Sequence, residues 1–475
     1  MKLLSLIPFV ALIALIALCV STFGTDALEG ASQVSILIAS AICVLVGFLI
    51  RRLDWAVLEA EMTAKISSCM PAIIILLLIG AIGGTWMVSG IVPTMIYYGV
   101  QILRPEWFLV SSSLFCALVS LMVGSSWTTV ATIGVALMGI GHAHGFPDGW
   151  VAGSIITGAY FGDKLSPLSD TTVLASSVSG TPLFTHIRYM MRTTIPTFGI
   201  SLLIFTVAGL MMEVPSNTDV AFLSQLRQTF VISPWLLLVP VLTGVMIVRR
   251  WPAMVVLFLA ALMAAIVAAV WQPHLVAQIA GRTEDSLRAS YEGVMRAIYS
   301  STQLQTGSPE LDRLIHTNGM AGMMPTVWLI ICAQVFGGAV TATGVLADVM
   351  SLCLRFIKGT ASLVASTVCT GIFCNVALAD QFLSIILTSS VFQETYRQRG
   401  LESRLLSRTC EDGATVTSVL VPWNTCGLVQ STVLGVATLT YLPYCFFNLL
   451  SPLTSILVAA TGWGIVKNKK LTDEP

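Results

Sequence analysis

ISSCMPAIIILLLIGAIGGTWMVSGIVPTMIYYGVQIL, residues 66–103, runs for 38 positions without an Asp, Glu, Lys or Arg. A helix rises about 1.5 Å per residue and a bilayer's hydrocarbon core is about 30 Å thick, so about 20 apolar residues cross it once. The stretch therefore holds at least one membrane-spanning helix. Residues 3–25, 30–50, 107–147 and 413–466 are charge-free in the same way. Over all 475 residues 56% are hydrophobic and 10% charged, whereas a soluble domain is about 25% charged. The pattern is that of a polytopic helical membrane protein. Lys plus Arg equals Asp plus Glu, at 24 each, which leaves no net field to attract nucleic acid. The 11 cysteines form no C-x-x-C pair, so neither a disulfide framework nor a structural zinc site is expected.

Further spans are expected over residues 71–89, 107–123, 194–212, 235–248, 253–271, 321–345, 360–376 and 442–465, with broken segments between them. Ten to thirteen crossings are expected in total. The run after Lys2 is long, and STFGTDALEG behind it lacks a small-x-small cleavage site, so it reads as a first transmembrane helix. Arg51, Arg52, Lys65, Arg249, Arg250, Lys467, Lys469 and Lys470 form basic corners, and Asp26 with Glu29 an acidic loop. By the positive-inside rule both termini then face the cytoplasm. Residues 272–319 are the one long polar insertion, with Arg282, Glu284, Asp285, Arg288, Glu292 and Arg296 at roughly helical spacing. They read as an extracytoplasmic, amphipathic link between an N-terminal half, 1–271, and a C-terminal half, 320–475, of one integral membrane domain. Residues 54–68 and 393–408 read as interfacial helices.

Acids inside apolar runs cost about 2.5–3.5 kcal/mol each even on a lenient insertion scale, so each needs a reason. Four places stand out: GSSWTT at 124–129, GAYFGDKLSPLSDTT at 158–172, NVALADQ at 375–381 and EDGATVTSVLVPWNTCG at 411–427. A polar knot followed by a segment of acids, hydroxyls and proline thus occurs once in each half, 39 positions on from Gly124 to Asp163 and 36 from Asn375 to Glu411. This is the trace that an internal repeat of interrupted helices would leave. Glycine and proline free backbone groups there, which membrane depth tolerates only beside protein or a wet cavity. Carboxylates, hydroxyls, amides and carbonyls are oxygen donors, suited to a hard cation such as Na⁺. Desolvation favours a protonated carboxylate and a bound cation favours the ionised form, so one site holds H⁺ or Na⁺ alternately. Asp163 could instead be neutralised by Lys164, and Glu411 and Asp412 by Arg404 and Arg408. The scattered histidines suggest no metal cage.

The motifs GxYFGDKxSPLSDTT at 158–172, DQFLSI at 380–385, EDGATVTS at 411–418, PWNTCG at 422–427 and YLPYCFFNLLSP at 441–452 together resemble the NhaC-type Na⁺/H⁺ antiporter family. The resemblance implies an all-α secondary transporter of the bacterial inner membrane. Its fold would be the wider ion-transporter architecture, with two inverted repeats, broken helices and re-entrant hairpins. It carries over Asp163, Asp170, Thr171, Thr172, Asp380, Glu411, Asp412, Thr415, Thr417, Asn424 and Thr425 as ion or substrate contacts. Ser126, Thr128, Thr129 and Asn375 in the polar knots join them as candidates.

The expected function is Na⁺/H⁺ antiport, with Na⁺ held at Asp163, Asp170 and Asp380 in alternation with H⁺ and with no resident cofactor. The alternative keeps the fold but moves an organic acid of malate or lactate type, or an amino acid, coupled to Na⁺ or H⁺. An intramembrane aspartyl protease is disfavoured because Tyr160 stands where its G-x-G-D signature needs glycine, so no enzyme is expected. Membrane lipid and small ions are the expected partners, with an organic acid under the alternative. A homodimer stays open.

Overall fold

The computed structural model describes residues 6–23, 30–212, 218–249, 251–282, 286–302, 312, 315–346, 357–463 and 465. Asp26, Glu29, Arg250, Glu284, Asp285, Lys467, Lys469 and Lys470, which entered the topology reading, lie outside the described residues, as does Lys2. Among the described residues the chain is helical, and its only β pairing is the isolated bridge between Thr302 and Thr317. Seven helices are long and apolar enough to cross a membrane, nine if each of two bent pairs counts as one span. Three shorter apolar helices, Ile7–Phe23, Ile91–Ile102 and Phe446–Thr461, accompany them.

The two stretches read as interfacial helices run into neighbouring helices. Trp55–Ser68 runs on into Met70–Val88 as one span candidate, Trp55–Val88. Residues 393–408 comprise the end of Gln381–Gln398, a turn, and Ser403–Cys410, in which Leu405, Leu406 and Arg408 are buried. Arg408 there points inward to Asp412, whereas the Glu394–Arg397 pair is exposed and the Glu402–Arg404 pair half-buried. Within the polar link, Leu287–Tyr299 is amphipathic as read. It buries Ala289, Gly293 and Ala297, and its exposed face carries an Arg282–Glu292–Arg296 clasp.

The central pair is Pro105–Val123 against Asp148–Leu165. Gly158 and Gly162, one turn apart, let the backbones approach closely: a Cβ on either would overlap the carbonyl oxygen of Ser113 or Ala117. Ser120 Oγ donates to Ala159 O at 2.6 Å across the same seam. Leu183–Met211 packs alongside, with Phe198 stacked on Phe161 at 3.8 Å and its far end at Glu106.

Four breaks organise everything near this pair, and each is closed by a side chain capping the next helix. Ser125 caps Ser126–Thr129, Ser169 caps Asp170–Val178, Asp380 caps Gln381–Gln398 and Asn424 caps Thr425–Leu434. Ser125 to Ser169 is 169 − 125 = 44 positions, and Asp380 to Asn424 is 424 − 380 = 44. The two halves therefore carry the same device at the same spacing. A π-helical turn follows the first break at Val130–Gly134 and another precedes the last at Glu411–Thr415.

Candidate functional site

Pro105–Val123 stops at Gly124, whose φ of 72° is in the left-handed region, where glycine carries no Cβ penalty. A Cβ there would also meet the Leu168 backbone at 2.6 Å. Ser125 is extended, and its Oγ accepts from Thr128 N at 3.2 Å. The chain then turns back through residues 126–143, forming a hairpin with Ser125 at its tip. The second hairpin has the same local plan. Thr360–Leu378 stops at Ala379, with φ 54°, and the extended Asp380 accepts from Leu383 N at 2.8 Å through Oδ1. A left-handed alanine costs about 1–2 kcal/mol. The Asp380 cap, worth about 1 kcal/mol, and a hydrogen bond from Thr425 N to Ala379 O at 3.0 Å oppose that strain.

The hairpins reach the same place from opposite ends of the helix bundle. The first starts at Pro105, beside the end of Leu183–Met211 where Gly209 meets Glu106. The second has its base at the other end, where Ser403 bonds to Thr181, Ser407 to His186, and Arg399 to Ile357 O. Their tips open on one cavity of about 620 Å³, which touches Trp55–Val88 about halfway along, at residues 68–75.

Into this cavity the fold brings Ser126, Thr128, Asp163, Asp170, Thr171, Asp380 and Thr425. Asp163 is 7% exposed, and its Oδ2 accepts from Ser126 N at 3.0 Å, which ties the long central helix to the first tip. Asp170 is exposed and Asp380 half-buried. Thr128 Oγ1 donates to Ser125 Oγ at 3.1 Å, and Thr171 Oγ1 lies 2.9 Å from Ser169 Oγ. Ser125, Ser169 and Gln381 also line the space. The first two are marked in sequence only as serines just before a helix; Gln381 has no separate signal beyond its neighbour Asp380. A further residue missed in sequence is Lys65, buried and in electrostatic reach of Asp380. It is 315 positions away, so only the fold pairs them.

The remaining candidates lie behind the cavity. Thr129 Oγ1 donates to Ser125 O, Thr172 Oγ1 to Lys164 O, and Thr417 Oγ1 to Gly413 O. Asn375 Nδ2 donates to Ala414 O at 2.6 Å and Thr417 Oγ1 at 3.0 Å, and Asn424 Nδ2 to Asn375 O at 3.2 Å. These bonds fasten the second tip to the unwound segment 411–424. Asp412 is fully buried, hydrogen-bonded to Lys164 and 3.8 Å from Arg408 Nε. Lys164 thus neutralises Asp412, not its sequence neighbour Asp163. Glu411 is fully buried beside Thr415.

A second cavity, about 410 Å³, lies at the opposite end of the central helix. Asp148 lines it and Asp163 the first. Fifteen residues of helix put the two about 22 Å apart. His142, 3.7 Å from Asp148, and His316 also face this second space. Three segments line both cavities and leave a short stretch between them. On Met70–Val88 the buried Leu76 lies in that stretch, on 123–139 Thr129 and Val130, and on Thr425–Leu434 Leu428 and Val429. The barrier is one to two helical turns thick.

Two helical hairpins meeting tip to tip at a carboxylate-lined cavity, with another cavity beyond a thin barrier, define a membrane protein built to pass small solutes. Comparison with known proteins agrees. Residues 158–463 match the Na⁺/H⁺ antiporter family model. The chain is 36% identical over 424 residues to the Na⁺/H⁺ antiporter NhaC of Alkalihalophilus pseudofirmus, covering 89% of each chain. It is 34% identical over 431 residues to NhaC of Bacillus subtilis, covering 89% of this chain and 90% of that one. It is also 36% identical over 409 residues to a malate-2H⁺/Na⁺-lactate antiporter of Bacillus subtilis, covering 85% and 84%. The chain belongs to the Na⁺/H⁺ antiporter family and is a multi-pass membrane protein.

Proposed function

We propose that this chain exchanges Na⁺ for H⁺ at the cavity between the hairpin tips, with Asp163 and Asp380 as the exchanging carboxylates and Asp170 at its entrance. The convergence of three aspartates and seven serine or threonine residues on one cavity carries the reading. Such donors replace the hydration shell of a hard monovalent cation. A carboxylate shielded from bulk water holds a proton readily, and an arriving cation displaces it. Exchange follows because one pair of carboxylates serves both ions. No bond of the cargo is made or broken. Asn375, Thr417 and Asn424 hold the second tip against its partner segment, Asp412 ties that segment to Lys164, and Glu411 and Thr415 lie behind the cavity with them.

Orientation follows from charge. Arg51, Arg188, Arg192, Arg397, Arg399 and Arg404 gather at the end where the second hairpin has its base. The positive-inside rule makes that end cytoplasmic and the polar link extracytoplasmic. With that orientation both termini face the cytoplasm of a bacterial inner membrane.

An organic-acid exchange at the same site has its own support. About 620 Å³ exceeds what a lone dehydrated cation fills, and one relative is named for malate and lactate. The test is reconstitution of the purified chain in sealed vesicles with an internal pH dye. Antiport gives Na⁺-driven proton movement with no organic solute present. Proton movement that appears only after malate or lactate is added would overturn Na⁺/H⁺ antiport in favour of the second reading.

A further inference from the structure

The barrier between the two cavities holds a polar side chain that the exchange site does not use. Of the three segments that line both cavities, the parts touching neither are residues 76–78, 129–130 and 426–431. Leu76, Leu77, Leu78, Val130, Leu428 and Val429 make this layer mostly apolar. Its hydroxyls bond back to nearby backbone, Thr129 Oγ1 donating to Ser125 O and Ser431 Oγ to Leu428 O. Cys426 Sγ donates to Gln381 Oε1 at 2.7 Å. Gln430 is different: it is fully buried, and neither its Nε2 nor its Oε1 has a hydrogen-bond partner among the described residues.

Helical spacing fixes where that amide lies. Gln430 follows Cys426 by four residues and precedes Val433 and Leu434 by three and four, which puts all four on one side of Thr425–Leu434. Cys426 is bonded to Gln381, which lines the first cavity, while Val433 and Leu434 line the second. At about 1.5 Å per residue the barrier from Thr425 to Thr432 is about 10 Å long, and Gln430 stands about three-quarters of the way along it. The π-helical turn Val130–Gly134 packs against this helix, and a Cβ at Gly134 would sit 3.4 Å from Leu434. Such turns interrupt regular helix bonding and recur at functional positions. A buried amide bonded at neither end has given up its hydration without replacement, whereas an apolar side chain of similar size would fill the space without that cost. The amide therefore serves a state in which the barrier is open.

We propose that Gln430 is a transit contact for the transported cation. When the barrier opens toward the second cavity, Gln430 Oε1 coordinates Na⁺ on its way to or from the carboxylates, a glutamine carbonyl being a donor suited to a hard cation. The inference rests on the reading that the first cavity exchanges Na⁺ for H⁺. Gln430 then governs how fast the cation passes and leaves its affinity for the resting site alone.

The test compares wild type with Gln430→Met, which keeps the length of the side chain and removes its polar atoms. Na⁺-driven proton movement is measured in reconstituted vesicles, and proton release on Na⁺ binding is measured on the purified chains. The maximal exchange rate should fall about tenfold, the scale of one lost hydrogen-bond-strength contact in a limiting step, with the half-saturating Na⁺ concentration unchanged within about twofold. Proton release per bound Na⁺ should equal that of wild type, and the variant should melt no lower, because no hydrogen bond is lost. Gln430→Leu takes its place if Gln430→Met fails to fold. Wild type that binds Na⁺ without releasing protons would sink the exchange reading itself. Wild type that does release them, with the variant exchanging at the wild-type rate, would overturn the transit contact alone and leave Gln430 a structural amide. A raised half-saturating concentration at unchanged maximal rate would also overturn it, by placing Gln430 in the resting site.

Discussion

Replacing Lys164 by Met separates structural carboxylates from transporting ones. Lys164 and Asp412 are both fully buried and hydrogen-bonded, and among the described residues Arg408 is the other cation paired with Asp412. Lys164 and Asp412 form a buried pair whose opposite charges balance each other. Lys164→Met or Asp412→Asn alone upsets that balance, and removing one partner of a buried pair costs about 3–5 kcal/mol. The double variant removes both charges together, and buried pairs replaced as a unit are often close to neutral. Each single substitution should therefore destabilise by about 3–5 kcal/mol, while the double loses at least about 3 kcal/mol less than the sum of the singles, beyond the roughly 0.5 kcal/mol within which independent sites add. The assay is reversible unfolding in mixed micelles as a double-mutant cycle, with Na⁺-driven proton movement measured alongside. The double variant should keep part of the exchange. Additive losses in stability would refute the pairing, and a stable double variant with no exchange at all would refute the view that Asp412 only supports the site.

Two further outcomes follow from the packing. Gly158→Val should prevent close approach of Pro105–Val123 and Asp148–Leu165, costing well over the roughly 1–3 kcal/mol of ordinary overpacking because its Cβ strikes backbone, whereas Gly199→Ala, with open space around it, should leave the melting temperature within a degree or two; size-exclusion yield and thermal melts check both. Cysteines introduced at Thr128 and Thr432 should react with a membrane-impermeant thiol reagent from opposite sides of the membrane, since those residues line the two different cavities, and labelling of both from one side would contradict the thin-barrier geometry.

Much of the architecture was legible because membrane helices announce themselves in composition. The charge-free runs mark Met70–Val88, Pro105–Val123, Ala253–Trp271 and Thr360–Leu378 to within a few residues, since only a helix satisfies its own backbone in lipid. The four breaks were legible for the complementary reason: acids, hydroxyls, glycine and proline have no place in such a run unless a tip or cavity needs them. What sequence could not give was partnership across the fold. Lys164 sits next to Asp163 in the chain but points to Asp412, 248 positions away, because a helix sends successive side chains to different faces. Lys65 reaches Asp380 only through helix packing. Within 393–408, a buried contact such as Arg408–Asp412 and an exposed pair such as Glu394–Arg397 look alike in a string of residues. Among the hydroxyls, periodicity did not separate Thr128 and Thr425, which line the cavity, from Thr129 and Thr417, which bond back to backbone carbonyls.

The most direct measurement of the central claim is proton release on Na⁺ binding to the purified chain in a weakly buffered solution, with Na⁺ affinity determined in parallel. Wild type should release protons in step with Na⁺ occupancy, and both binding and release should fall at least about tenfold, the 1.4 kcal/mol equivalent of one lost charge contact, in Asp163→Asn and in Asp380→Asn. Na⁺ binding that releases no protons, or that survives unchanged in both variants, would contradict the claim that these two carboxylates carry Na⁺ and H⁺ in alternation.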